Sequence, residues 1–521
     1  MTAFDHDDEV VVIVGSGAGG GTLAHELTTR GIRVALIEAG AHIRLEEHVN
    51  DEWEAFGQMA WTDPRTTSGS WRIARDFPNL PAWVVKAVGG TTTHWAGATP
   101  RFLEHELRAL STYGPIGGTS LLDWPLTLAE LAPYYDRAEI ALGSSHRHGR
   151  PAMAANNNYR VLANGAARVG YNFYATGPYG TNSEPYDGRP GTIQDGFNFQ
   201  GDRSGAKWST LIREIPRADA TGNLDLRPDC QVVQITHDAQ GRADAVIYID
   251  AHDNLHRQRA RVVAVAGNSI ETARLLLLSA SSRFPDGLAN SSGHVGRHYM
   301  RHTTGSVYAQ FDHPVHQYRG ETMAGIIADE ARHDPDRGFA GGYYLETLSL
   351  GPAFLAAFAE PGSWGPDFTS ILDGYANTAG LWIVGEDMPQ ATNRVTLNGT
   401  VTDAHGLPVA NVHFDDHPND TAMREHGYRQ AELLYEAVGS TSAHRTPPYP
   451  STHNLGTSRM SARPEDGVTN AFGRTHDVPN LFVSDGSVFT TGGAANPTLT
   501  IVALAMRQAD HMVDLFSRHE L

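Results

Sequence analysis

The feature that most constrains this chain is a strand–turn–helix–strand run near its start. Val10–Val14 is a β-branched run suited to a parallel strand buried on both faces. It enters Gly15-Ser16-Gly17-Ala18-Gly19-Gly20-Gly21; Thr22–Arg30 is then predicted as a helix closed by Gly31, and Arg33–Ile37 as a second strand ending at Glu38. A βαβ unit this short makes an α/β domain with a parallel sheet the expected first part of the fold.

With 54 glycines in 521 residues, Gly15-x-Gly17-x-x-Gly20 alone is a weak match, and its context is what gives it weight. Gly15 allows the tight turn, Gly17 and Ala18 bring backbone toward a pyrophosphate, and Gly20 permits close helix–strand packing. The helix start offers unpaired N–H groups to phosphate. Glu38, eighteen residues after Gly20, is placed to accept both ribose hydroxyls and to reject a 2′-phosphate. These residues do not separate FAD from NAD. The long excursions that follow the first βαβ unit suit an extended FAD reaching a second domain.

Farther along, Asp123-Trp124-Pro125-Leu126 leads into a helical pair, with Leu128–Ala141 at helical spacing. Residues 151–220, rich in Asn, Gly, Pro and Tyr, read as surface connections. Leu224–Asp250 reads as a β-meander, Arg261–Ala266 as a buried strand and Ile270–Ser279 as the helix after it. Tyr308–Val412 suggests a mostly antiparallel sheet, in which Leu350–Pro366 reads as a lid or an ordinary surface loop. The last seventy residues return to strand–turn–helix patterning. The expected organisation is a Rossmann-type FAD-binding domain in three parts (1–120, 221–305 and 441–521), a helical pair with connecting loops (121–220), and an α+β substrate domain on an antiparallel sheet (306–440).

Composition narrows the partners. A net charge of −19, with only Lys86 and Lys207 as lysines, argues against nucleic acid and anionic membrane surfaces. No apolar stretch approaches the length of a membrane span. The single cysteine, Cys230, excludes an intrachain disulfide and reads as a buried small hydrophobe. Together with the acidic N-terminal residues, it points to the cytoplasm. No metal site is expected: His146-Arg147-His148 and Arg301-His302 lack supporting ligand spacing and read as surface histidines.

Four further segments carry a resemblance. Ala87-Val88-Gly89-Gly90-Thr91-Thr92-Thr93-His94-Trp95 resembles the flavin-contacting segment of glucose-methanol-choline (GMC) oxidoreductases, most of all their branch around pyranose oxidase and bacterial glycoside 3-oxidases. Val262–Ser279 resembles that family's second strand–helix signature. His453-Asn454-Leu455-Gly456-Thr457-Ser458-Arg459-Met460, and Asn480–Gly486 through Asn496-Pro497-Thr498, resemble its C-terminal catalytic region. Asp123-Trp124-Pro125 and Val295-Gly296-Arg297-His298 lie between them in order.

The resemblance implies that His453 and Asn496 face the flavin as a catalytic pair: a neutral imidazole to take the hydroxyl proton, and an amide to orient the substrate oxygen. It implies cofactor contacts at Gly89, Gly90, Thr93, His94, Trp95, Ala96, Ala266, Gly267, Asp485, Gly486, Asn496, Pro497 and Thr498, with Val232 binding adenine through its backbone. Asp485-Gly486 also reads as a simple turn. Thr93-His94-Trp95 reproduces the residues by which pyranose oxidases bind flavin covalently, yet Ala96 stands where they have threonine. A noncovalent FAD is therefore the working reading and a bond at His94 the alternative. The implied activity is oxidation of a ring hydroxyl to a ketone, favoured at C3 of a glucoside or C-glycoside. Oxygen is the expected acceptor, giving hydrogen peroxide, and homo-oligomers are common among such enzymes. The rivals are a dehydrogenase of gluconate-like or polyol substrates serving a quinone or cytochrome, a pyranose 2-oxidase on glucose, and a scaffold without catalysis.

Overall fold

The computed structural model describes residues 4, 7–61, 63–70, 83–194, 198–449 and 451–521. Val11–Val14 sits at the centre of a five-stranded parallel sheet ordered Leu481–Val483, Val262–Val265, Val11–Val14, Val34–Ile37 and Leu224–Arg227. Val11 lies between Val262 and Val34, and every residue of these three strands is buried. That double-sided burial is why they read as continuous apolar runs rather than alternating ones.

The first helix spans Ala18–Thr28, so Gly19, Gly20 and Gly21 lie inside it and it starts earlier than the predicted Thr22. Helix propensity disfavours three glycines there, but packing overrides it. A Cβ on Gly20 would stand 2.0 Å from the Gly15 carbonyl oxygen, and one on Gly19 would stand 1.6 Å from that of Ser484. The C-terminal helix Thr498–Ser517 packs beside this helix, and Leu128–Leu142 packs on it in turn. Arg137 ties the three together by pairing with Glu26 and Asp510.

Gln231–His237, Ala243–Ile249 and Leu255–Arg259 form the expected meander, while Leu224–Arg227 joins the parallel sheet instead. A six-stranded antiparallel sheet follows in the order Ser442–Arg445, Thr303–Gln310, Thr378–Gly385, Tyr343–Thr347, Ile326–Ile327, Tyr174–Ala175. Its two faces alternate along each strand. Val307, Leu345 and Ile383 pack under the helices Asn157–Val169 and Pro418–Ala437, whereas Tyr308, Tyr344 and Trp382 face the core shared with the parallel-sheet half.

Three sequence readings are corrected. Residues 157–169, within the stretch read as surface connections, are a helix: Asn156 caps it by accepting the Tyr159 N–H at 2.9 Å, and Gly170 ends it at φ 89°. Arg394–Thr402 and Pro408–Phe414 leave the antiparallel sheet and form a separate one with Thr67–Gly69. Leu350–Pro366 is not a loop throughout; Pro352–Ala359 and Pro366–Asp373 are helices, each with proline at its first position. No helix among the described residues is long and apolar enough to cross a membrane.

Gly19→Ala forces the first helix away from the Ser484 segment. It is expected to cost about 1–3 kcal/mol, the range for overpacked sites, read as a lowered midpoint in a thermal melt.

Candidate active site

The carboxyl ends of Val11–Val14, Val262–Val265 and Leu481–Val483 converge on one edge of the parallel sheet, where a long cleft opens. Gly15, Gly17, Ala18, Glu38, Gly90, His94, Trp95, Ala96, Val232, Ala266, Gly267, Asp485, Gly486, His453, Asn496, Pro497 and Thr498 all line it. Gly20, Gly89 and Thr93 do not line it and stand one layer behind. Gly20 meets Gly15; Gly89 lies at φ 97° against Leu211; and the Thr93 hydroxyl donates to the Gly90 carbonyl at 2.9 Å. Their part is to let the lining residues approach.

At one end, Gly15 takes φ 97°, and a Cβ on it would stand 2.4 Å from the Ala266 carbonyl oxygen, a position only glycine fills without strain. Glu38 is buried, which pushes its carboxyl above the usual range. Its Oε2 accepts both the N–H (2.9 Å) and the hydroxyl (2.7 Å) of Ser16, and Oε1 accepts the Gly40 N–H at 3.0 Å. Oε2 is therefore saturated, and Oε1 alone has a lone pair left for a ribose hydroxyl, where the sequence suggested that Glu38 accepts two. Val232 and Cys230 flank this end, and Cys230 is buried as expected.

The middle is made by two turns. The Ser16 hydroxyl accepts the Gly89 N–H at 3.0 Å, locking the His94 loop onto the first glycine turn. Asp485 accepts from the Ser487 N–H at 2.8 Å and from the Thr272 hydroxyl at 2.6 Å. Its carboxylate thus braces the cleft wall, combining the turn and contact readings. His94 is fully buried; its Nδ1 bonds the Phe199 carbonyl at 2.9 Å, which makes Nδ1 the N–H, and Nε2 has no partner among the described residues. Burial pushes its pKa down to about 3. Beneath it, buried Lys207 donates to the carbonyls of Thr93 (3.2 Å) and Trp95 (2.7 Å).

His453 and Asn496 both line the cleft, each on its own segment. Residues 455–457 run beside 297–300, with Leu455 and Met300 exchanging backbone bonds at 2.9 and 3.0 Å. That contact explains the Val295–His298 motif. Asn454 is held by Tyr299, whose hydroxyl donates to its Oδ1 at 2.5 Å. On the other side Glu106 accepts the Ala494 N–H at 2.6 Å and so fixes the segment that presents Asn496. Two partners were missed from the sequence. Glu346, fully buried and pushed up to about 8 by that burial, accepts from Asn496 Nδ2 at 3.4 Å. His302, read as a surface histidine, is 2% exposed and hydrogen-bonded to His453. Neither lies in a periodic or spaced pattern, so no signal in the sequence marks them. His146 and His148 are exposed as expected; Glu139 beside His148 is neutralised by Arg101 and Arg147.

The same cleft is also lined by the apolar and aromatic residues Met323, Leu350, Phe354, Phe358, Trp382 and Tyr449, with the Trp382 ring 5.5 Å from that of His453. Phe354 and Phe358 come from the helix Pro352–Ala359, within the Leu350–Pro366 stretch read from the sequence as a lid or a surface loop.

Comparison with known proteins agrees with this architecture. Residues 116–304 match the N-terminal and 389–505 the C-terminal GMC oxidoreductase models, and residues 13–54 match an NAD(P)-binding Rossmann-like domain. The chain is 35% identical to 2-methyl-1,2-propanediol dehydrogenase of Mycolicibacterium austroafricanum over 99% of its own length and 97% of that protein. This chain belongs to the GMC oxidoreductases.

It is also 28% identical to the fructose dehydrogenase large subunit of Gluconobacter japonicus, over 97% of each chain. It is 31% identical to C-glycoside 3-oxidase of Arthrobacter globiformis, over 49% of its length and 46% of that protein. The crystal structure of pyridoxine 4-oxidase from Mesorbium loti superposes with a TM-score of 0.67 at 16% identity, covering 97% of this chain and 99% of that one. As a GMC oxidoreductase the protein is an FAD-dependent enzyme acting on CH–OH groups of alcohol- or sugar-type substrates. The cleft fits that cofactor, with side-chain-free backbone at Gly15, Gly17 and Gly90 at one end and buried, unpartnered His94 Nε2 and Asn496 Oδ1 farther along.

Replacing Glu38 by Ala removes the carboxyl that braces this end of the cleft and frees Ser16. Flavin affinity is expected to fall about tenfold to a hundredfold, measured by flavin fluorescence on dilution of the holoenzyme.

Proposed function

We propose that this enzyme oxidises a ring hydroxyl, at C3, of a glycoside that carries an apolar aglycone, with His453 as the base and Asn496 as the group that orients the substrate oxygen. The observation that carries this reading is that His453 and Asn496 line one cleft together with Phe354, Phe358, Trp382 and Tyr449. A free polyol would leave its hydroxyls unpaired against such a wall, whereas an aryl or alkyl portion gains from it.

FAD, when bound, supplies the hydride acceptor. The rest belongs to the chain. His453 is held neutral because burial lowers its pKa well below 6.5, so above that pH it is ready to take the hydroxyl proton. Asn496 has a buried Oδ1 without a partner among the described residues, while its Nδ2 is turned to Glu346. Pro497 precedes the twenty-residue C-terminal helix, whose first N–H groups and dipole favour negative charge at the cleft.

A noncovalent FAD, oxygen as acceptor and a cytoplasmic location are part of the same proposal. Ala96 after Trp95 supports the first and the single cysteine the last. Acid precipitation should then leave the yellow colour in the supernatant; colour kept in the pellet assigns a bond to His94, whose Nε2 carries the free lone pair.

A second reading, oxidation of a small branched diol, is favoured by the 35% identity to the propanediol dehydrogenase and by the same apolar wall. Anaerobic titration of the holoenzyme with an aryl C-glucoside, glucose, gluconate and 2-methyl-1,2-propanediol separates them. Bleaching by the aryl glucoside with a 3-keto product supports the glycoside reading; bleaching by the diol alone replaces it. Oxygen uptake with the same substrate tests the acceptor.

His453→Ala should retain flavin and slow its reduction by about 10²–10⁴-fold, the usual contribution of a positioned base. In the parent enzyme, kcat/KM should be flat above pH 6.5 and fall only at lower pH, as His453 becomes protonated. A limb above pH 6.5 would remove His453 from that role.

A further inference from the structure

We infer that His302 is a positioning residue that sets the tautomer of His453, keeping the proton on Nδ1 so that Nε2 presents its lone pair to the substrate hydroxyl. The inference rests on the reading of His453 as the base.

It follows from one hydrogen bond whose direction is forced. Nε2 of His302 lies 3.1 Å from the Gly492 carbonyl oxygen. A carbonyl only accepts, so Nε2 of His302 is the N–H. His302 is neutral, because complete burial pushes its pKa down to about 4. A neutral imidazole has a single N–H, so Nδ1 of His302 carries a lone pair. Nδ1 of His453 stands 2.9 Å from it and must donate, since the opposite tautomer would set two lone pairs against each other. Nε2 of His453 is then unprotonated; it bonds to none of the described residues, and His453 lines the cleft while His302 does not.

The relay is built rather than incidental. His302 adopts φ 62°, a left-handed conformation costly for histidine. It is held there by Asp387, which accepts the Arg301 N–H at 2.7 Å and the backbone N–H of His302. The Ser451 hydroxyl donates to the Arg301 carbonyl and accepts the His453 N–H at 2.9 Å, clamping the two segments together. The other groups facing the pair are the Trp382 ring, 5.5 Å from that of His453, and the Asp387 carboxylate; the Arg301 guanidinium is turned onto Phe414 at 4.0 Å.

When the substrate O–H bond breaks, its proton forms the N–H at Nε2 of His453. The positive charge is shared with Nδ1–H, whose bond to the neutral His302 becomes charge-assisted and stronger. His302 thus favours the proton-bearing state without touching substrate. In other enzymes a misoriented or wrong-tautomer catalytic histidine loses about 10⁴-fold in rate.

The test measures anaerobic flavin bleaching in holoenzyme variants, driven by the aryl glucoside or 2-methyl-1,2-propanediol, whichever bleaches the parent. His302→Phe fills the space without an acceptor; His302→Asn keeps an acceptor oxygen on a residue that tolerates left-handed backbone. The ratio of flavin to protein absorbance should be unchanged in both. His302→Phe should slow the limiting rate by about a hundredfold or more, with half-saturation by substrate nearly unchanged, and His302→Asn should recover most of that rate. Adding His302→Phe to His453→Ala should slow the enzyme no further. Should the Phe variant lose flavin, His302→Ala replaces it in the same comparison. Slow His453→Ala with His302→Phe at the parent rate overturns the inference alone. So does an Asn variant as slow as the Phe one, or a double variant slower than His453→Ala. His453→Ala at the parent rate overturns the base reading and this inference with it.

Discussion

Parallel pairing of three short buried strands, Val11–Val14, Val262–Val265 and Leu481–Val483, is the constraint on which the rest of the molecule depends. Their carboxyl ends lie side by side although they come from positions far apart in the chain, so the turns after them share one edge. The Gly15–Gly17 turn, the Gly267 turn and the Asp485 turn become neighbours there. Because backbone meets backbone at that edge, the residues have to be small: a Cβ on Gly15, Gly19 or Gly20 would strike a carbonyl oxygen. The glycines that look like a ligand motif are thus packing requirements first, and the empty space they leave is what a dinucleotide occupies.

The second half of the cleft is built on a different principle. The antiparallel sheet buries both faces, one under helices and one toward the site. Side chains on the inward face must either be apolar, as Tyr344 and Trp382 largely are, or carry polar atoms whose burial is costly. Glu346 is such an exception: burial pushes its carboxyl up to about 8, and the hydrogen bond from Asn496 only partly offsets that. His302, Asp387 and Ser451 form a connected polar network behind His453 in the same way. Connected groups of this sort hold one arrangement, because each bond direction is dictated by the next.

Legibility in the sequence followed the range of the physics involved. The parallel strands Val11–Val14, Val34–Ile37 and Val262–Val265, most of the meander and the helices Leu128–Leu142 and Asn268–Leu278 are readable because burial imprints a local pattern. Asn156 was not read as a cap, since an asparagine run looks like a loop until the apolar face of Tyr159, Leu162 and Ala166 finds the sheet. The two helices around 352–373 were hidden by the glycines and prolines that delimit them. Arg394–Phe414 has strand character, but which sheet it joins depends on Thr67–Gly69, hundreds of residues away.

By itself, then, the sequence determined a Rossmann-type unit, its glycine turn, the acidic residue that ends its second strand and the motif order that resembles a family, because each is written in contiguous residues and local chain geometry. Only the tertiary structure decided that Glu38 has one oxygen left rather than two, and that Gly20, Gly89 and Thr93 stand behind the cleft wall. Only it brought Glu346 to Asn496 and His302 to His453. Those outcomes rest on hydrogen bonds between side chains separated by some 150 residues. The identity and direction of such bonds are properties of the folded interior, where burial removes water as a partner, and no local pattern encodes them.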